Sequence, residues 1–195
     1  MPFPAHILAG FCLGFRHRRA LRELLASTPK SRCILELEPQ ELRASGIMAL
    51  ALDFDGVLAP HGAPEPILEA VIWMKRCEDV FGAERMFILS NKPTEQRRQW
   101  FAEHFPAIRF ISGVRKKPYP DGLEKAGELG GIPLSSILMV DDRLLTGCLA
   151  ALVAGARPCY IRRSYAIFSG LSAAELFFWS LRIIERLFVR LVSLI

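Results

Sequence analysis

Cysteine is too sparse and too scattered in this 195-residue chain to build a covalent framework. The five cysteines, Cys12, Cys33, Cys77, Cys148 and Cys159, are odd in number and include no CxxC pair. That excludes a disulfide scaffold or a zinc knuckle and favours a reducing compartment. The four histidines, His6, His17, His61 and His104, show no metal-ligand spacing. No internal repeat and no low-complexity tract interrupts the chain, so solenoids and linker arrays are excluded. The net charge is +5, and the basic excess lies towards the two ends, in residues 1–35 and 143–195. No nucleic-acid-binding signature accompanies it, and no nucleic-acid partner is expected. What remains is 51% hydrophobic and 23% charged residues, the composition of one globular domain with an ample core.

The two ends differ from the middle. Residues 1–30 carry the apolar stretch Ala5–Phe15 and then the basic run Arg16-His17-Arg18-Arg19. The apolar part is too short to span a bilayer, and the charges follow it, the wrong order for a secretory signal. An interfacial amphipathic segment and a plain helix packed on the domain are the two readings open here. Residues 169–195 form a second amphipathic helix, with a wide aromatic and aliphatic face and Arg182, Arg186 and Arg190 on one stripe beside Glu185. Its ionised residues make a membrane span unattractive. It reads as a surface for an anionic membrane, or for a second copy of the chain in a homo-oligomer, with packing on its own domain as the plainer alternative.

Between the ends, residues 31–168 alternate strand and helix patterns. Cys33–Leu37 reads as a short edge strand and Pro39–Gly46 as a helical turn. Strands follow at Met48–Leu52, Arg85–Leu89, Ile108–Ile111, Ser136–Val140 and Pro158–Ile161. Helices are expected near residues 67–81, 93–104, 120–129 and 143–154. Such alternation predicts an α/β, Rossmann-like three-layer sandwich around a parallel sheet of about five strands, with right-handed crossovers. Residues 56–89 and 91–116 each hold one helix and a strand or so, leaving no room for a cap domain.

The stretch Met48–Leu58 organises the rest. An apolar strand stops at Asp53 and Asp55, followed by Gly56. A lone aspartate after a strand commonly caps a helix, but clustered acids at a buried strand end call for a cation or a tuned pKa. Ser90 and Asn91 close the next strand, Lys117 stands in a loop, and Asp141 with Asp142 closes a further strand. In a parallel sheet these ends share one edge, where ligands bind. An all-oxygen acid set suits Mg²⁺, and a lysine with a hydroxyl suits a phosphoryl group. His61, just beyond the first pair, reads as a solvated loop residue, with contact to substrate as the less favoured alternative.

These residues resemble the haloacid dehalogenase (HAD) superfamily of aspartate-nucleophile phosphohydrolases. Asp53-Phe54-Asp55-Gly56-Val57-Leu58 is similar to its DxDGxL motif, and Ser90, Lys117 and Asp141-Asp142 stand at its second, third and fourth motifs. The resemblance implies that Asp53 is the nucleophile and Asp55 the general acid and base. Ser90, Asn91 and Lys117 would bind phosphate, and Asp53, Asp55 (through its carbonyl) and Asp142 would hold Mg²⁺ with Asp141 in support. Within the superfamily the chain is similar to the uncapped YqeG-like, phosphatidylglycerophosphate phosphatase group. That implies a phospholipid headgroup as substrate and a cytoplasmic, membrane-peripheral placement. A soluble phosphatase for a nucleotide, sugar phosphate or phosphoprotein is the alternative, and a non-catalytic binding module a second one. The chain departs from that group in having Asp141 where a glycine is usual and Gly147 where a later acid is usual.

Overall fold

The computed structural model describes residues 5–165 and 173–192. Five strands, β1 (Ala49–Leu52), β2 (Met86–Ile88), β3 (Arg109–Phe110), β4 (Ile137–Asp141) and β5 (Arg157–Tyr160), form one parallel sheet in the order β3-β2-β1-β4-β5. The helices are α1 (Ala5–Arg16), α2 (Arg18–Ser27), α3 (Pro39–Ala44), α4 (Leu68–Phe81), α5 (Glu95–His104), α6 (Asp121–Gly130), α7 (Leu149–Ala154) and α8 (Ala173–Val192).

Strand β1 is central because every residue in it is apolar and both its faces are covered. Side chains alternate along a strand, so Leu50 and Leu52 enter one core with Trp73, Met74 and Phe101 of α4 and α5. Ala49 and Ala51 enter the other, with Leu123, Ala126 and Ala150 of α6 and α7. Small residues on that side let the second helix layer approach closely. A third cluster joins the ends of the chain. Leu21 and Leu25 of α2 and Val189 of α8 pack on Leu144, Leu149 and Tyr160, beside β5.

The expected edge strand at Cys33–Leu37 is a 3₁₀ turn over Ile34–Glu36 instead. Ile34 and Leu37, three apart, both face the core against α4, and the Leu37 carbonyl accepts a 2.7 Å bond from the Trp73 indole. A strand would have turned one of them to solvent. The helix expected from residue 143 begins as a π turn at Leu144–Cys148 and becomes α-helical at Leu149. Residues 56–85 hold α4, a 3₁₀ turn at Ala83–Arg85 and loop, and residues 91–116 hold α5 and β3, so neither insertion point carries a cap domain. The boundary expected at 168/169 lies outside the described residues, as does the outermost part of each terminal segment.

Candidate active site

The site lies at the carboxyl ends of β1, β2 and β4. Asp53 follows β1 directly, its amide donating to the Val140 carbonyl of β4 at 2.9 Å, which carries the sheet register into the first residue of the loop. The chain then turns sharply. Gly56 has φ of 82°, and a Cβ there would collide with the Asp142 carboxylate and stand 2.9 Å from the Arg182 guanidinium. Only glycine lets the turn lie this close to the second acid.

Lys117 bridges two acids. Its Nζ stands 2.9 Å from Asp53 Oδ1 and 2.6 Å from Asp141 Oδ2, with the whole group buried. Burial disfavours its charge, but the two carboxylates outweigh that and raise its pKa, so it is a permanent cation. Asn91 fixes this lysine. The Lys117 amide donates to Asn91 Oδ1 at 3.0 Å, and Asn91 Nδ2 donates to the Lys117 carbonyl at 3.5 Å. Ser90 is turned partly aside. Its hydroxyl accepts the Lys92 amide at 3.2 Å, and it lines a small neighbouring hollow with Asn91 and Lys117.

Asp53, Asp55, Asn91, Lys117 and Asp142 line one cleft of about 90 Å³. Asp141 lies beneath it, fully buried. Its Oδ2 takes Lys117, while Oδ1 accepts the Arg143 amide at 2.8 Å and the Thr146 hydroxyl at 3.3 Å. Gly147 explains how it fits, because any Cβ at 147 would run into the Asp141 carboxylate. The carboxylate at 141 uses the space a side chain at 147 would need.

The acid set fits a hard divalent cation. Carboxylate oxygens of Asp53, Asp141 and Asp142 lie within 4.8 Å of one another. Asp142 Oδ1 is buried without a hydrogen-bond partner among the described residues. Burial, joined by the neighbouring acids, raises Asp53 to about 8 and Asp142 to about 6, although Lys117 and Arg182 act the other way. A site this rich in carboxylate is short of positive charge, which a cation would supply.

Asp55 has a different environment. Arg97, almost completely buried, grips it with both guanidinium nitrogens at 2.7 and 2.9 Å, and the Gly62 amide donates at 3.1 Å. Burial alone would raise this carboxyl, but Arg97 overcomes it and leaves the pKa lowered. Arg97 is itself fixed by a bond to the Ala63 carbonyl at 3.0 Å and by the face of Phe54, 3.9 Å from its guanidinium carbon. It connects α5 to the loop that follows β1.

Four residues of α8, Glu175, Phe178, Arg182 and Glu185, come to the site from afar and meet His61, Asp142 and Arg143 there. His61 is not a solvated loop residue. Its ring stacks on Phe178 of α8 at 3.8 Å, its amide donates to Glu175, and its Nε2 accepts from Arg182 at 2.7 Å. Burial first, then the Arg182 charge, lowers its pKa to about 4, so the ring is neutral. Arg182 also donates through Nε to Asp142 Oδ2 at 2.6 Å. Arg143 pairs with Glu185, whose second oxygen accepts the Leu145 amide at 3.3 Å. The arginine stripe on α8 was visible as a periodic pattern, but its first member turns inward to the acids rather than outward to a headgroup.

No protein-family model matches the chain, and no curated protein matches it. Solved structures do. One superposes with a TM-score of 0.51 and 16% identity, over 75% of this chain and 85% of its own, a likeness of fold. An uncharacterized protein from Corynebacterium glutamicum is 21% identical over 70% of this chain and 96% of its own, at a TM-score of 0.43. A HAD family enzyme from Bacteroides thetaiotaomicron, crystallised in complex with magnesium and inorganic phosphate, is 15% identical, at a TM-score of 0.39, over 68% of this chain and 100% of its own.

Proposed function

We propose that the chain is a Mg²⁺-dependent phosphomonoester hydrolase that works through an aspartyl-phosphate. The observation carrying this is Asp53 at the end of the central strand, in one cleft with Lys117 and Asp142. A carboxylate can attack a phosphate dianion only where their repulsion is offset, and Lys117 is held against Asp53 for that purpose. The residues described above as fitting a cation, Asp53 and Asp142 with Asp141 behind them, would hold Mg²⁺, which when bound supplies further charge neutralisation to the phosphoryl oxygens.

In the first step an Asp53 oxygen attacks phosphorus. The bond to the substrate's alcohol oxygen breaks, and that oxygen takes the electron pair and a proton from Asp55. In the second, Asp55 takes a proton from water, whose oxygen attacks phosphorus. The bond to Asp53 breaks, restoring its carboxylate and releasing inorganic phosphate. Arg97 favours the second role of Asp55 by holding it ionised, and the first role requires that pair to open.

Within this reading the substrate is a phospholipid, phosphatidylglycerophosphate, met at an anionic membrane surface. An apolar cavity of about 280 Å³ runs between α1 and α8, lined by Ile7, Phe11, Leu145, Phe177, Leu181 and Ile184. It joins the acidic cleft through Lys92, Arg143 and Phe178, which line both. A phosphate head at Asp53 with apolar chains in the adjoining cavity matches that pairing of surfaces. Exposed Leu8, Phe15, Leu176, Trp179, Leu187 and Leu191 continue the apolar surface outward, with Arg16 and Arg190 exposed on the same helices and Arg19 exposed on α2. No described helix is long and apolar enough to cross a membrane, so the contact would be peripheral.

Phosphate release with Mg²⁺ from the parent and from Asp53→Asn tests the chemistry. The variant should lose about 10³-fold or more, as removal of a group acting directly in the reaction does. Equal rates in the two would end the nucleophile assignment. Phosphatidylglycerophosphate in mixed micelles, against nucleotides, sugar phosphates and a phosphopeptide, tests the substrate. Preference for a water-soluble ester would reject the lipid.

A further inference from the structure

Helix α8 turns its charged stripe into the site. Glu175, Arg182 and Glu185 are each buried almost completely, against His61, Asp142 and Arg143 respectively. Arg182 holds Asp142 Oδ2 at 2.6 Å, and its guanidinium lies over the Gly56 turn, between the second acid and the nucleophile loop. An ion shared by Asp53 and Asp142 would find Asp142 Oδ1 without a partner, and would gain Oδ2 only by displacing Arg182. Mg²⁺ takes six oxygens at about 2.0–2.1 Å and tolerates no nitrogen cation among them.

Charge makes the same point. Asp53, Asp141 and Asp142 are opposed by Lys117, and Arg182 adds one further positive charge to the set. A divalent ion would add two, and the two would repel each other across a buried carboxylate. The neighbours of Arg182 make withdrawal feasible. Among the described residues its other side-chain hydrogen bond goes to the His61 ring, and Phe178 holds that ring by stacking rather than by an ion pair.

We propose that Arg182 and a divalent cation compete for Asp142, so that α8 is a latch that opens as the cation loads. This rests on the cation site described above. Linkage makes the coupling reciprocal: whatever draws α8 away from the site tightens the cation, and the cation loosens α8. An apolar surface that binds the outer face of α8 would therefore favour loading.

Calorimetric titration of the full chain with Mg²⁺ alone tests it, with Arg182→Gln beside the parent and Arg182→Met to remove hydrogen bonding as well as charge. Circular dichroism confirms that each is folded. Both variants should bind about tenfold tighter or more, and adding Asp142→Asn should abolish that binding. Equal or weaker binding in both folded variants overturns the latch and leaves the cation site standing. Absence of binding in every protein, or binding that survives Asp142→Asn, removes the cation site and the latch with it. Hydrogen exchange gives a readout free of the substitutions. In the parent, Mg²⁺ should speed exchange of amides between residues 175 and 189, and unchanged or slower exchange there rejects the coupling.

Discussion

Helices α4 and α8 have opposite insides. Helix α4 buries Ala70, Trp73, Met74, Cys77 and Phe81 and exposes Glu69, Lys75, Arg76 and Asp79, with Leu68 and Ile72 as the apolar exceptions. Helix α8 buries Glu175, Arg182 and Glu185 with Val189, and exposes Leu176, Phe177, Trp179, Ile184, Leu187 and Leu191. The first covers a sheet of apolar residues, so burial follows hydrophobicity. The second covers a cluster of buried acids and Arg143, so burial follows charge. The face left outside is then apolar by default, a surface that a soluble monomer rarely keeps without a use. Amphipathicity tells how a helix is divided, and the partner surface decides which half goes in.

The largest expected effect breaks the comparison from the α4 side. Trp73→Ala should cost about 3–5 kcal/mol in chemical denaturation, because the indole is fully buried and also donates to Leu37. A loss under about 1 kcal/mol would mean that α4 does not bury its apolar face as described. On α8 the same size of effect should come from a charge. Glu185→Ala strands Arg143 and the Leu145 amide, and a loss of about 2–4 kcal/mol is expected, below the usual cost of breaking a fully buried pair because Arg143 keeps some exposure. Little change in melting would show that α8 is held by its apolar contacts alone.

A pH titration sharpens the electrostatic half. Without a bound cation, Asp53, raised by burial from 3.8 to about 8, holds a proton between those pH values that the unfolded chain has released. Its contribution is full below about pH 4 and is lost as pH rises towards 8. His61 works oppositely. Lowered from 6.5 to about 4, it contributes stability above pH 6.5 that is lost as pH falls through 4. The clean window is therefore pH 6.5 to 8, where the melting temperature in a chelator should fall and Mg²⁺ should flatten the slope. A melting temperature that rises across that window without cation would contradict the crowded-acid picture.

The smallest effect concerns the outer face. Trp179→Ser should change stability by no more than about 0.5 kcal/mol, since the ring is half exposed. Flotation with anionic vesicles should nonetheless fall. Unchanged flotation would remove the membrane from the account of that face.

Much of the site was legible along the chain. Asp53, Asp55, Lys117 and Asp142 stand at strand ends or in a strand-end loop, and parallel pairing brings such ends to one edge whatever the details of packing. Asn91 was legible as a site residue, though its side chain is spent on the Lys117 backbone rather than left free for an anion. Asp141 was legible as an acid beside the site, but its fit depends on the missing Cβ at Gly147, a spatial fact six residues away. Arg97 was hidden in a charged helix run, and nothing in its spacing marks it as the grip on Asp55. His61 and Arg182 are 121 positions apart, and no local pattern links them.

By itself, the sequence determined the alternation of strand and helix, the parallel sheet and the acids at its edge. Those follow from side-chain period and backbone geometry, which act over a few residues. Only the tertiary structure decided which face of α8 turns inward, that Arg182 meets Asp142, and that Asp55 is held ionised by Arg97. Those depend on the sign of charge at a surface assembled from distant segments, and a charged side chain is buried only where that surface offers it a partner.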